Sequence, residues 1–132
     1  KKDDRVIVNK IKVTFDLLRD GDVILYRHNG VIHFSRIVGK PGESVEIKNH
    51  HLYRDDRRVN EQYAKNRQIK NIALRNIKDS DGDIVPPGSY FVLNDNDDNK
   101  SDSRRYGLID KQDIIGDVSL KYYPFKEFAY DF

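Results

Sequence analysis

The stretch Val31-Ile32-His33-Phe34-Ser35-Arg36-Ile37-Val38-Gly39-Lys40-Pro41-Gly42 decides how the chain is read. Its first half crowds apolar and β-branched residues together without helical spacing, which predicts a strand. Its second half ends that strand, because Gly39 and the Pro41-Gly42 pair supply the backbone freedom and preset φ of a tight turn. Ser35 therefore falls inside an extended segment and not in a loop.

Upstream, Asp20-Gly21-Asp22 forms a turn that launches the apolar run Val23 to Arg27, and Asn29-Gly30 is the strongest hairpin signal in the chain, joining that run to the stretch above. Val6-Ile7-Val8, with Ile11 and Val13, predicts a first strand or strand pair. Downstream, Val45-Glu46-Ile47-Lys48 alternates as a half-buried strand does, and a second hairpin turns at Asp55-Asp56. Residues 60–80 are loosely spaced and polar, and read as a surface excursion with some strand or a helical turn. Ile84-Val85 and Tyr90 to Leu93 are strands around the Pro86-Pro87-Gly88 corner; the polar run Asn94 to Arg105 is a long loop; Val118 to Tyr123 is a last strand stopped by Pro124. Short strands joined by turns predict a mostly β fold of antiparallel sheets with a β-barrel-like core. The expected organisation is one domain over 1–132, with a small β lobe inserted over 48–85.

The composition fits a folded domain: 37% of the 132 residues are hydrophobic and 35% charged. The 24 basic and 22 acidic residues are mixed along the chain and leave a formal charge of +2, so no strong nucleic-acid field is expected. Without cysteine there is neither a disulfide framework nor a thiolate metal site. No window reaches the roughly 18 apolar residues of a membrane span. Methionine is absent too, as in a processed product or an excised segment.

Three blocks in order carry a family resemblance: Gly21-Asp22-Val23-Ile24-Leu25-Tyr26, then Ser35 to Gly42, then Asn94-Asp95-Asn96 leading to Asp102-Ser103-Arg104-Arg105-Tyr106-Gly107. The chain resembles the bacterial type I signal peptidases, and an inactive branch of them most closely. That resemblance implies the extracytoplasmic domain of a membrane-anchored serine endopeptidase, which removes signal peptides with a Ser-Lys dyad and needs no cofactor or metal. It also implies its partners: signal peptides or preproteins, an active signal peptidase, and the cell membrane through an N-terminal anchor upstream of residue 1.

In the family pattern the residue before the block's arginine is the lysine general base, and Ser35 stands there, followed by Arg36. The role requires an amine whose pKa is depressed by burial among apolar groups, which a serine hydroxyl cannot replace. Loss of a positioned general base costs roughly 10²- to 10⁴-fold in rate. The third block departs as well: Asn94 replaces its Gly, Asp97 its Arg and Lys100 a Ser that helps orient the lysine. No Ser-Met-x-Pro nucleophile block precedes Asp4. The catalytic machinery is therefore expected to be absent, while Arg36, Gly39, Pro41, Gly42, Asp95, Asp102, Ser103, Arg104 and Gly107 remain as structural motif residues. Asp102 and Arg104 are expected to form an ion-pair cluster with Arg36 that fixes the loop to the sheet. Active relatives hold the substrate peptide extended beside the strand leading to the lysine, which makes Ile32, His33, Phe34 and Ser35 the expected peptide-binding edge.

Two other functions compete with this one. An active peptidase would need a nucleophile upstream and a base other than Ser35. His33 shares its strand face, but stands roughly 6 to 7 Å away. A β-barrel module for oligonucleotides is disfavoured by the balanced charge and the lack of an aromatic-basic cluster. Asp95, Asp97 and Asn99 alternate as in a calcium loop, but Lys100 stands where Gly is needed and Tyr106 where the bidentate Glu is needed. The run Asp79, Asp81 and Asp83 fails in the same way, so both read as solvated acidic turns.

Overall fold

The computed structural model describes residues 6–14 and 16–120. Asn29 and Gly30 both take positive φ, 50° and 78°, the geometry of a type I′ turn. That turn fixes the pairing of β2 (Val23–His28) with β3 (Val31–Gly39), in the register Ile24↔Ser35, Tyr26↔His33 and His28↔Val31. Around this hairpin an antiparallel sheet is completed by β1 (Val6–Asn9), β8 (Ser89–Leu93), β9 (Ile109–Asp110) and β10 (Ile114–Leu120), in the order β1-β10-β2-β3-β8-β9. A second antiparallel sheet holds β4 (Val45–Lys48), β5 (His51–Arg54), β6 (Arg57–Arg58) and β7 (Ile72–Ala73), in the order β6-β5-β4-β7. Its two hairpin turns again rest on positive φ at short polar residues, Asn49 and His50, then Asp55 and Asp56.

Strand alternation sorts the core into two main bodies. One face of the larger sheet buries Ile24, Tyr26, Ile37, Tyr90 and Val92, with Leu18, Ile109 and Ile114. The second body lies between the sheets and joins Val38, Phe91 and Leu93 to Val45, Ile47, Leu52 and Leu74. Gly39 marks the joint. A Cβ there would lie 2.4 Å from Val45 Cγ2 and 3.5 Å from Phe91 Cβ, so only a bare backbone lets the smaller sheet approach.

Several segments differ from their sequence reading. Ile11–Thr14 is a single helical turn, α1, because Asn9 Oδ1 accepts the Ile11 amide at 2.8 Å and so caps it. Residues 60–80 are not confined to the surface: their 3₁₀ turns Gln62–Ala64 and Leu74–Asn76, and the segment between, bury Ala64, Ile69 and Leu74 in the inter-sheet core. Ile84 contributes only an isolated bridge to Ser44. The polar loop contains one helical turn, α2 (Ser103–Tyr106), capped by the Asp102 side chain. The last strand starts at Ile114 and takes in the 114–116 segment; its expected end at Tyr123-Pro124 falls outside the described residues. No helix among the described residues is long and apolar enough to cross a membrane.

Arg54 ties the two sheets together. Its Nε and Nη2 donate to the Val38 carbonyl at 3.1 and 3.0 Å, and Nη2 also donates to Tyr63 Oη at 2.9 Å. The same guanidinium faces Asp20 at 3.3 Å and Glu43 at 3.7 Å. Burial, and then a hydrogen bond shared with Glu43, push the Asp20 carboxyl up to about 7. Asp20 Oδ1 is buried without a hydrogen-bond partner, a place that disfavours the charged carboxylate. Folding thus favours protonated Asp20. Its stabilisation is full below the unfolded value of about 4 and is lost as pH rises to about 7. Unfolding free energy measured by denaturant titration is expected to decline across that window, and Asp20→Asn to flatten the decline by on the order of 2 kcal/mol; an unaltered slope in the variant would refute the raised Asp20 pKa.

Candidate functional site

Ser35 lies in the middle of β3 and is fully buried, at 0% exposure. Its register opposite Ile24 turns it into the core of the larger sheet, beside Tyr26. The hydroxyl donates to Asn94 Oδ1 at 2.7 Å and lies 2.9 Å from Tyr26 Oη. A serine has one proton, so if that proton goes to Asn94 the phenol must donate to Ser35. The amide orientation of Asn94 agrees, because its Nδ2 faces the carbonyls of Asn99 and Ser101 at 2.8 and 3.2 Å, which only accept. Burial drives the Tyr26 phenol above its ordinary value, so it stays protonated and keeps this donor role. No member of the chain Tyr26 to Ser35 to Asn94 is a base at neutral pH.

Asn94 directly follows β8 and anchors the loop that begins there. Its amide donates to Asp102 Oδ2 at 2.8 Å, and its carbonyl accepts from Arg67 Nη2 at 2.7 Å. Asp102, also fully buried, accepts from the Arg104 amide and Nε at 3.0 Å each and from Nη2 at 2.8 Å. Ser103 Oγ accepts the Val92 amide at 2.9 Å. Gly107 closes the turn with φ of 85°, where a Cβ would sit 2.6 Å from the Lys78 carbonyl. Gly42, also at positive φ (91°), ends the Pro41-Gly42 turn, its amide donating to the Val85 carbonyl at 2.8 Å.

Arg36 does not join Asp102 and Arg104. It forms a two-point pair with Asp95, Nε to Oδ1 at 2.8 Å and Nη2 to Oδ2 at 2.7 Å, while Nη1 donates to the Gly21 carbonyl at 2.8 Å. The single expected cluster is therefore two. β3 pairs with β8 through Arg36↔Leu93, so Arg36 sits on the side-chain face opposite Ser35 and meets the residue after Asn94, not the buried Asp102. Arg67 was not anticipated as a site residue. It is buried and bonds the carbonyls of Asn94 and Asp95 and the Asp97 carboxylate, at 2.7, 3.3 and 2.9 Å. Its sequence signal was missing, since it lies in the aperiodic 60–80 segment.

Ile32, His33 and Phe34 precede Ser35 on the same strand. The Ile37 amide donates to the Asp22 carbonyl and its own carbonyl accepts from the Gly21 amide, so Ile37 presents its main chain to the β2 side. By alternation Ser35, His33 and Val31 do the same, and Ile32 turns its main chain the other way. β8 pairs on that other side only from Arg36 onward, and among the described residues no strand pairs there with Val31 to Ser35. Val31 and Ile32 are 55% and 50% exposed, which is unusual for large apolar side chains on a strand. His33 is half-buried, its ring 5.6 Å from Tyr26 and 4.9 Å from Tyr106, which also stacks on His28 at 4.2 Å. Burial and then the neighbouring His28 lower the His33 pKa. No group of three or more His, Cys, Asp or Glu side chains placed to hold a metal occurs among the described residues.

A family model described as signal peptidase, peptidase S26, matches residues 1–123. Inactive signal peptidase IA of Staphylococcus aureus strain COL is 60% identical over 131 residues, covering 99% of this chain and 75% of that protein. Signal peptidase IB of strain MRSA252 is 34% identical over 146 residues, covering all of this chain and 75% of that protein. The crystal structure of a signal peptidase I from Enterococcus faecalis V583 superposes with a TM-score of 0.69 at 28% identity, over 77% of this chain and 97% of that one. The chain therefore belongs to the signal peptidase family, peptidase S26, as a homologue of signal peptidase I.

Proposed function

We propose that this is a catalytically inactive signal peptidase I homologue, acting on the extracytoplasmic side of the cell membrane, which binds signal peptides or preproteins without cleaving them. One observation carries the reading. At the place where the family pattern puts a lysine base, Ser35 is buried and its hydroxyl is spent on Tyr26 and Asn94. The 60% identity to inactive signal peptidase IA supports the same conclusion.

Asn94 deepens it. Its side chain fills the space beside position 35, where the family pattern has a glycine and a lysine would need to extend. The small-for-large exchange at 35 and the large-for-small exchange at 94 are volume-compensating, and the two residues hydrogen-bond to each other. The proposed peptide site is the β3 margin at Ile32 to Ser35, with an extended peptide lying along that margin and Val31 and Ile32 offering apolar contacts. A second reading has one observation in its favour: the lowered pKa of His33 leaves an imidazole able to take a proton two residues from Ser35.

Full-length protein incubated with a preprotein at neutral pH is expected to yield no cleaved product; cleavage that disappears on His33→Ala would overturn inactivity. Titration with a signal-peptide mimic should give saturable amide shifts at Ile32 to Ser35, and an absence of shifts there removes the binding claim. Ser35→Ala leaves Asn94 Oδ1 without its buried donor, a loss of about 1–3 kcal/mol by thermal or denaturant unfolding. Ser35→Lys alone should destabilise by about 1–3 kcal/mol through overpacking, and adding Asn94→Gly should recover most of it. Equal stability of the single and double variants would show that position 94 does not occlude position 35.

A further inference from the structure

Residues 45–75 carry eight Lys and Arg against four Asp and Glu, whereas the whole chain is nearly balanced at 24 against 22. This excess gathers on the smaller sheet. Between the β4–β5 turn, the outer end of β6 and the segment 60–68 lies a cleft of about 430 Å³. Arg58, Lys65, Arg67, His50 and His51 line it together with four Asn and Gln residues, Val59 and Ala64, and no aspartate or glutamate is among the lining residues.

The nearby acids are already engaged. Asp97 pairs with Arg67 at 2.9 Å, and Glu61 stands 3.9 Å from Arg54, outside the cleft lining. Arg67 is buried and committed to carbonyls and to Asp97, so it shapes the floor and leaves the free charge to the exposed residues. Arg58 and Lys65 are exposed and, among the described residues, pair with no carboxylate. His50 is oriented by donation from Nδ1 to the Ile69 carbonyl at 3.2 Å. A concave surface of guanidinium, ammonium and amide donors without a competing carboxylate suits an oxyanion with many acceptor oxygens. The volume is several times that of one phosphate group.

We propose that this cleft is a binding site for a soluble oligophosphate chain, held by the exposed charges of Arg58 and Lys65, which are unpaired among the described residues. It lies on the smaller sheet and does not depend on the peptide-holding reading of the β3 edge.

The test is calorimetric titration of the full chain with sodium tripolyphosphate at low ionic strength. Saturable binding is expected, weakening as salt is raised. The double variant Arg58→Ala/Lys65→Ala should bind about tenfold or more weakly, the scale of one lost charge-assisted hydrogen bond. Arg75→Ala/Lys10→Ala removes the same charge at exposed positions outside the cleft and should bind within about twofold of the parent. Circular dichroism of each variant checks that the fold persists. Equal weakening by the two double variants would reduce the effect to net charge and overturn the site. So would the absence of saturable heat, or binding to phosphatidylglycerol vesicles with none to tripolyphosphate.

Discussion

The hydrogen bond from Ser35 Oγ to Asn94 Oδ1, 2.7 Å long and fully buried, joins two parts of the chain 59 residues apart. It belongs to the middle of β3 at one end and to the first loop residue after β8 at the other. Asn94 also bonds Asp102 through its amide, Arg67 through its carbonyl, and the Asn99 and Ser101 carbonyls through its side chain, so it is one of the main anchors of the excursion from 94 to 104. A buried polar chain of this kind is tolerated only when each donor finds an acceptor. Here the phenol, hydroxyl and carboxamide supply each other in sequence. The centre of the larger sheet thus holds a fixed chain of neutral polar groups.

The smaller sheet is attached by different means. Gly39 permits close approach, the apolar body between the sheets supplies most of the contact, and Arg54 clasps Val38, Tyr63 and two carboxyls across the joint. Arg36 and Arg67 add polar ties around Asp95 and Asp97. These arginines act where both partners are partly shielded from water, so their geometry holds the sheets in one relative placement better than surface pairs would. The two sheets consequently share a core while presenting different outer surfaces: an apolar strand margin on one, a basic cleft on the other.

What the sequence revealed follows the range of the forces concerned. Asn29-Gly30 and Asp55-Asp56 were legible as hairpin turns because left-handed φ is a local demand that only a few residues meet at low cost. The significance of Ser35 was legible because Arg36 to Gly42 fixes the alignment of one position. The company Ser35 keeps was not: Tyr26 arrives through pairing across a hairpin, and Asn94 through a strand far along the chain. The choice of Asp95 over Asp102 as the partner of Arg36 is equally non-local, since the acids lie seven residues apart in one polar loop and only the burial of Asp102 beneath Arg104 separates their roles. Ala64, Ile69 and Leu74 escaped notice because neither helical nor strand periodicity marks them, although tertiary packing places them in the core.

The mutual fit of positions 35 and 94 also bears on how such a protein can change over time. A lysine introduced at 35 meets the carboxamide of Asn94, and a glycine introduced at 94 strips Ser35 of its acceptor and the loop of its anchor. Either single exchange leaves a poorly packed or unsatisfied neighbour. The two positions are therefore coupled: neither side chain can be exchanged alone without leaving the other crowded or without its partner.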